Sequence, residues 1–291
     1  MRPEINSRPF VLAKVDTGEL AILGYSVAGE ETAIICPELN VCFDIGRCPA
    51  EALPVDNILL SHAHTDHSAG LLYYFAQRDF QAIEGGKVFM PKRHVAGFAE
   101  LMRAWGKFEG HVPPYKVIPV TADNDYQLRR DLVVRTFNTP HAPGSVGYSV
   151  IEVRQKLKQE YIGLSGPEIV ELKNQGKEIS RRVEIPLIAF LGDTSKSDFA
   201  SIPCVRDAKI LLIECTFFDD DHKSRSAAGK HIHIDDLPGI LEGMNNDKIV
   251  ITHVTKRTNL GLAKKMLRKT LSAETWEKVT FLMDRNNLCT K

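Results

Sequence analysis

Short apolar runs, separated by turn residues, alternate along this chain with segments whose apolar positions recur every three or four residues. The short runs predict β-strands over residues 10–15, 20–29, 32–37, 41–46, 56–61, 116–120, 132–139, 147–153, 186–193, 209–217 and 248–254. The longer spacing predicts helices over residues 68–78, 94–105, 234–244 and 260–271. Because several strand runs are continuously apolar, the pattern favours an α/β fold in which helices cover two sheets.

One polar segment interrupts the strand pattern. Residues 155–184 are rich in lysine, arginine and glutamate. The rest of the chain contains no internal repeat, low-complexity tract or linker that would indicate a second domain. We therefore predict a single domain over residues 1–291, with one charged insertion at 155–184.

Composition restricts the partners and the compartment. The 291 residues contain 37 basic and 37 acidic side chains, so the net charge exerts no overall attraction on nucleic acid or on a membrane. An RNA ligand would therefore need a local basic patch. We expect no membrane segment, since no apolar run reaches spanning length. The six cysteines lack paired spacing, which predicts free thiols and a cytoplasmic location.

The candidate chemistry begins in the stretch "HAHTDH". It places His62, His64, Asp66 and His67 between a predicted strand and a predicted helix. Imidazole nitrogens and carboxylate oxygens are common metal ligands. In an extended segment His62 and His64 point the same way, and after the turn Asp66 and His67 can face a second ion. Exposed loop histidines are the alternative, but they would not explain this position, so we predict a metal site.

Three further polar residues follow apolar strands, namely His141, Asp193 and His253. Singly, each is as consistent with a cap or a loop side chain. Occurring together and in this order, they predict additional metal ligands.

The complete series of seven residues resembles the ligand series of the metallo-β-lactamase superfamily. That resemblance implies a four-layer αββα sandwich and a hydrolase that activates water with two metal ions. It implies one zinc ion at His62, His64 and His141, a second at Asp66, His67 and His253, and Asp193 as a bridge. Manganese or another divalent ion is the alternative to zinc.

A glutamate and a histidine further along the chain indicate a branch of that superfamily. Glu214 follows a strand in "IECTFFDDD", and His231 begins "HIHID" seventeen residues later. This pair, with "QEYIGLSGPEI", resembles ribonuclease Z, the tRNA 3′-processing endonuclease, in its short plant and bacterial form. The resemblance implies that Glu214 orients His231 as proton donor to the departing 3′-oxygen, while Asp66 helps to deprotonate the water. His233 is a competing candidate for the histidine.

The resemblance also suggests substrate contacts. Lys173 and Gly176 lie in a segment similar to a family loop near the active site, and Lys230 and Arg257 are basic candidates for phosphate contact. The interval between the third and fourth ligand motifs is expected to be too short for the arm with which this family grips tRNA. A homodimer is a further expectation, because dimers occur in this branch.

The sequence thus predicts a zinc-dependent endoribonuclease that removes 3′ trailers from precursor tRNA. A hydrolase of a small phosphodiester or ester on the same scaffold is the first alternative. A non-catalytic RNA-binding subunit is the second, and the intact ligand series argues against it.

Overall fold

The computed structural model describes residues 11–289, apart from the side chain of Asp220. Fourteen strands among these residues form two sheets of seven strands, each ordered as in the chain. The first sheet contains β1 (Ala13–Asp16), β2 (Ala21–Val27), β3 (Glu31–Cys36), β4 (Val41–Phe43), β5 (Asn57–Leu59), β6 (Lys87–Pro91) and β7 (Val117–Val120). The second contains β8 (Asp125–Arg129), β9 (Leu132–Asn138), β10 (Val146–Leu157), β11 (Ser180–Phe190), β12 (Ile210–Glu214), β13 (Lys248–Thr252) and β14 (Val279–Phe281).

The two sheets share one plan. In each, the first four strands pair antiparallel and the last four pair parallel. Parallel neighbours need long crossovers, and helices supply them. The α-helices are α1 (Thr65–Ser68), α2 (Gly70–Phe80), α3 (Val95–Glu109), α4 (Gly166–Asn174), α5 (Pro203–Arg206), α6 (Lys223–Gly229), α7 (Leu237–Leu241), α8 (Leu260–Thr270) and α9 (Ala273–Lys278).

Side-chain alternation along the strands produces four layers. In β3, Ala33 and Ile35 pack toward α2 and α3, whereas Ile34 faces a core that both sheets share. In β13, Val250 faces this shared core, and Ile249 packs toward α5, α7 and α8 on the opposite side. Since successive strand residues point to opposite faces, each sheet buries one face on the other sheet and one under helices. The predicted αββα sandwich is confirmed.

Three strands were not predicted, and each has a physical reason. β6 is short and ends on a proline, β14 has three residues, and β8 has an exposed, polar burial pattern at the edge of its sheet. The helix predicted from residue 68 begins later, as α2. Ser68 does not cap it, since its hydroxyl donates to the carbonyl of His64 at 2.9 Å. The strand predicted over residues 10–15 corresponds to β1, and its first residue lies outside the described residues.

Residues 155–184 form part of a long β-hairpin. β10 and β11 remain paired as far as Leu157 and Ser180, and α4 lies in the connection between them. Eleven steps from Val146 to Leu157 correspond to about 36 Å of strand. The charged insertion therefore lies at one end of the β10–β11 hairpin. The start of β10 and the end of β11 lie well away from it, at the opposite edge of the sheet.

Two compositional expectations bear on the compartment. All six cysteines are free, and five of them are buried. Among residues 11–289, no helix combines the length and the apolar character needed to cross a bilayer.

Candidate metal centre

The candidate ligands meet because parallel strands of both sheets end at one common edge. In the first sheet, His62 follows β5. In the second sheet, Asp193 follows β11 and His253 follows β13, while His141 lies in the turn between β9 and β10. Carboxyl ends of parallel strands are the usual position of sites in such sheets, since side chains there project beyond the packed core. The fold thus brings distant parts of the chain to one point.

The first group of ligands contains three histidines and a carboxylate. One nitrogen or oxygen from each of His62, His64, His141 and Asp193 lies within 4.8 Å of the others. His64 Nδ1 and His141 Nε2 are 3.2 Å apart, and His62 Nε2 lies 3.8 Å from Asp193 Oδ2. The nitrogens converge on one small volume, as ligands of a single ion do.

The second group lies beside the first. It contains Asp66, His67 and His253, with the two imidazole Nε2 atoms 3.3 Å apart. Asp66 Oδ2 is 3.8 Å from His67 Nε2 and 3.6 Å from His253 Nε2. The Asp193 oxygen that faces the first group is also 3.3 Å from His67 and 3.4 Å from His253. Asp193 therefore stands between the two groups.

The donor set fits divalent metal. His62 Nε2 is buried and has no hydrogen-bond partner among the described residues. Burial and the neighbouring His67 lower the pKa of His62 well below its usual value, so the ring keeps a free lone pair at neutral pH. Although burial raises the pKa of Asp193, the charges of His253 and His67 outweigh it and hold the pKa well below its usual value. Neutral imidazole, here at His62, and ionised carboxylate, here at Asp193, are forms that bind metal.

A residue that sequence reasoning missed holds the second group in place. Asp44 follows β4 and is fully buried. It accepts hydrogen bonds from the Ser61 amide at 2.7 Å, the Ser61 hydroxyl at 2.8 Å and His67 Nδ1 at 2.7 Å. A carboxylate on the far nitrogen of a ligand histidine fixes the ring and its tautomer. The signal was the one used for Asp193 and His253, a polar residue directly after an apolar strand.

Other ligands have outer partners too. His141 Nδ1 donates to the Lys230 carbonyl at 3.1 Å, which directs Nε2 toward the cluster. His253 Nδ1 donates to Thr216 Oγ1 at 3.0 Å, and Thr216 donates onward to Glu214 at 2.5 Å. Thr216 was also missed, although it lies within the quoted "IECTF" stretch.

Glu214 and His231 form a pair next to the ligands. Glu214 is fully buried and accepts from His231 Nδ1 at 2.8 Å and from the Thr194 amide at 2.8 Å. The His231 ring lies 4.9 Å from the ring of His141 and stacks on His253 at 5.3 Å. Burial lowers the pKa of His231, but the hydrogen bond and charge of Glu214 outweigh it, so the pKa is raised. The raised pKa favours the protonated form of this imidazole beside the candidate metal centre.

Comparison with known proteins shows the family to which this chain belongs. The sequence model of one protein family, the beta-lactamase superfamily domain, matches residues 44–254 of this chain. A chloroplastic tRNase Z of Arabidopsis thaliana is 38% identical over 250 residues, which cover 84% of this chain and 70% of the relative. A second Arabidopsis tRNase Z is 37% identical over 240 residues, 81% of this chain and 85% of the relative. The chain belongs to the tRNase Z family.

The fold likeness extends to a solved tRNase Z. The crystal structure of the short form of human tRNase Z superposes with a TM-score of 0.55 at 18% identity, covering 80% of this chain and 92% of the human one. At that identity the superposition shows a shared fold.

The competing histidine, His233, has different neighbours. His233 is buried, accepts from the Asp235 amide at 3.3 Å and lies 3.2 Å from the Asp219 carbonyl. These contacts direct its ring toward Asp219 and Asp235, whereas His231 contacts Glu214.

The predicted substrate residues are divided between two places. Lys230 and Arg257 are both exposed and adjoin candidate ligands. The Lys230 carbonyl accepts a hydrogen bond from His141, and Arg257 follows His253 by four residues. Lys173 and Gly176 lie in and just after α4, at the outer end of the hairpin. A role for these two residues in substrate contact stays a prediction.

Proposed function

We propose that this chain is a metal-dependent endoribonuclease that cuts the 3′ trailer from precursor tRNA. The observation that carries the proposal is the Glu214–His231 pair beside the seven-ligand cluster. The tRNase Z names of its relatives support tRNA as the substrate. The pair adds a proton donor to a site that already collects divalent-metal ligands, and cleavage of a phosphodiester requires a proton for its leaving oxygen.

The proposed metals are two zinc ions, with manganese as the alternative. His62, His64 and His141 would hold one, and Asp66, His67 and His253 the other, with Asp193 between them. Bound at these ligands, two divalent ions supply an acidified water and positive charge against the phosphate oxygens.

The chain's own residues would complete the hydrolysis. Asp66 accepts a proton from the attacking water, and the Gly29 amide at 2.9 Å holds its Oδ2 in place. As the oxygen of water bonds to phosphorus, the bond from phosphorus to the 3′-oxygen breaks. His231 Nε2 donates its proton to that departing oxygen, and Glu214 keeps the ring oriented and stabilises its charge.

Substrate contact would involve two separate regions. Lys230 and Arg257 are proposed to contact phosphates close to the cut, and Lys173 and Gly176 to contact RNA remote from it. A homodimer would place the hairpin end of one protomer where it holds tRNA for the other. We further propose that residues 1–291 act as one domain, since both the shared core and the ligands come from both sheets.

The cytoplasmic location stays a prediction. Free buried thiols support a reducing compartment. The chloroplastic relative makes an organelle the alternative, and fluorescence microscopy of the tagged full chain in its own cells distinguishes the two.

The decisive experiment compares two substrates. Protein loaded with zinc or manganese is assayed on a 3′-extended tRNA and on bis(p-nitrophenyl) phosphate, with mature tRNA as control. We expect a single cut at the 3′ boundary of the precursor and little action on mature tRNA. Turnover of the small diester without precursor cleavage would support the alternative hydrolase. Failure on both by metal-loaded protein would support a non-catalytic RNA-binding role.

A further inference from the structure

A basic segment lies at the same sheet edge as the ligands. Lys92, Arg93 and His94 directly follow β6, which pairs in parallel with β5, the strand that leads to His62. The ends of β4 and β5 supply Asp44 and His62 at this edge. The end of β6 therefore supplies Lys92, Arg93 and His94 at the neighbouring position, although none of the three was a candidate from the sequence.

Arg93 lies against the loop that carries His141. Gly144 in that loop has φ +79°, and a Cβ built on it would be 2.4 Å from Arg93 Cδ and 3.8 Å from Arg93 Nε. The absence of a side chain at Gly144 thus leaves room for the aliphatic stem of Arg93. The same loop is tied to the ligand segment, because the Val146 amide donates to the Ser61 carbonyl at 3.0 Å. The contact holds the stem of Arg93 against the loop that carries His141.

The charge of Arg93 is not neutralised within the described part of the chain. Arg93 and Lys92 are exposed, and neither has a carboxylate within ion-pair distance among residues 11–289. By contrast, Lys256 near His253 is paired with Glu30 at 2.9 Å. An arginine left without a carboxylate and braced by its stem is suited to an anion from solution.

His94 adds no positive charge to this segment. Burial lowers the pKa of His94, and the charges of Arg93 and His64 lower it further. His94 is therefore neutral at physiological pH, and the positive charge of the segment comes from Lys92 and Arg93.

We propose that Arg93 binds a backbone phosphate of the RNA next to the phosphate that is cut, with Lys92 adding charge to the same contact. This inference rests on the proposed function and assigns a substrate residue to it. A guanidinium forms two parallel hydrogen bonds with a phosphate and so fixes position as well as charge. The contact would seat the strand so that the scissile phosphate reaches the ligands.

The test compares Arg93→Ala with Arg103→Ala. Arg103 is an exposed arginine on α3, about 15 Å further along the helix axis. For Arg93→Ala we expect KM for the precursor to rise about tenfold and the slope of log affinity against log salt to decrease by about one. Metal content and turnover of bis(p-nitrophenyl) phosphate should stay at the wild-type level. Arg93→Lys should recover part of the loss, and Arg103→Ala should match the wild type.

The outcomes separate this inference from the function on which it rests. If wild-type protein does not cut the precursor, the proposed function fails before any variant is compared. If it cuts and Arg93→Ala behaves like Arg103→Ala, only the phosphate contact is overturned. Equal losses on both substrates, or loss of metal, would show that Arg93 supports the His141 loop and does not bind RNA.

Discussion

Asp44 and Glu214 are two buried carboxylates that come from different sheets and hold different histidines beside the same metal centre. Asp44 follows β4 and accepts from His67 Nδ1 at 2.7 Å, and Glu214 ends β12 and accepts from His231 Nδ1 at 2.8 Å. The two carboxylates are thus nearly equal in burial and in the length of the hydrogen bond to their histidine. The two histidines, however, face different surroundings.

His67 is closed in, whereas His231 is open to substrate. The side chain of His67 is 1% exposed and directs Nε2 at the second ligand group, whereas that of His231 is 17% exposed. In the proposed function, the enclosed ring of His67 serves metal binding and the more exposed ring of His231 serves proton delivery.

The largest expected effect comes from removing Asp193, the residue that both ligand groups share. Asp193→Ala deletes the oxygen that lies between the two ligand groups, so metal occupancy and precursor cleavage should be lost together. Metal analysis after dialysis and a cleavage assay measure this. Asp131→Ala, a surface carboxylate paired with Arg129, is the control. Full metal content with no cleavage would contradict the placement of Asp193 as a ligand.

His231→Ala tests the open side alone. Loss of a proton donor should slow cleavage by about 10²–10⁴-fold with metal content unchanged. His233→Ala is the matched control two positions away, and it should retain most activity because its ring faces Asp219. Loss of metal in His231→Ala would make this histidine a ligand.

A pair of isosteric variants separates the two carboxylates. Asp44→Asn should weaken metal affinity by about 10–100-fold, because a partner on the far nitrogen strengthens a ligand histidine. Glu214→Gln should lower the cleavage rate of metal-saturated protein more than it lowers affinity. Chelator competition and single-turnover cleavage measure the two quantities. The comparison fails if both variants lose affinity and rate in the same proportion.

The smallest expected effect concerns Thr216, whose hydroxyl lies between His253 and Glu214. Thr216→Val removes the acceptor of His253 Nδ1 and should reduce metal affinity by about tenfold. Thr216→Ser keeps the hydroxyl and should be close to wild type. An equal loss in both variants would show that packing of the threonine methyl, and not its hydroxyl, is responsible.

The ligand series was predictable because each member stands in a recognisable local context. "HAHTDH" places four candidates within six positions, and the other three follow apolar strands. Local context was less informative for β8 and β14, since an exposed edge strand and a three-residue strand carry little apolar pattern. The hairpin was missed for a related reason, because polar residues paired outside the core resemble a loop in sequence.

The sequence by itself predicted two helix-covered sheets and seven candidate ligands, since both predictions depend on which residue types recur at which spacing. Only the tertiary structure decided that Asp44 supports His67, that His231 and not His233 contacts Glu214, and that Arg93 stands beside the His141 loop. These relations join residues far apart in the chain, and they depend on the order and direction of strands. "HAHTDH" predicted a metal site, but the side chains that surround this site were set by where β4, β6 and β12 end.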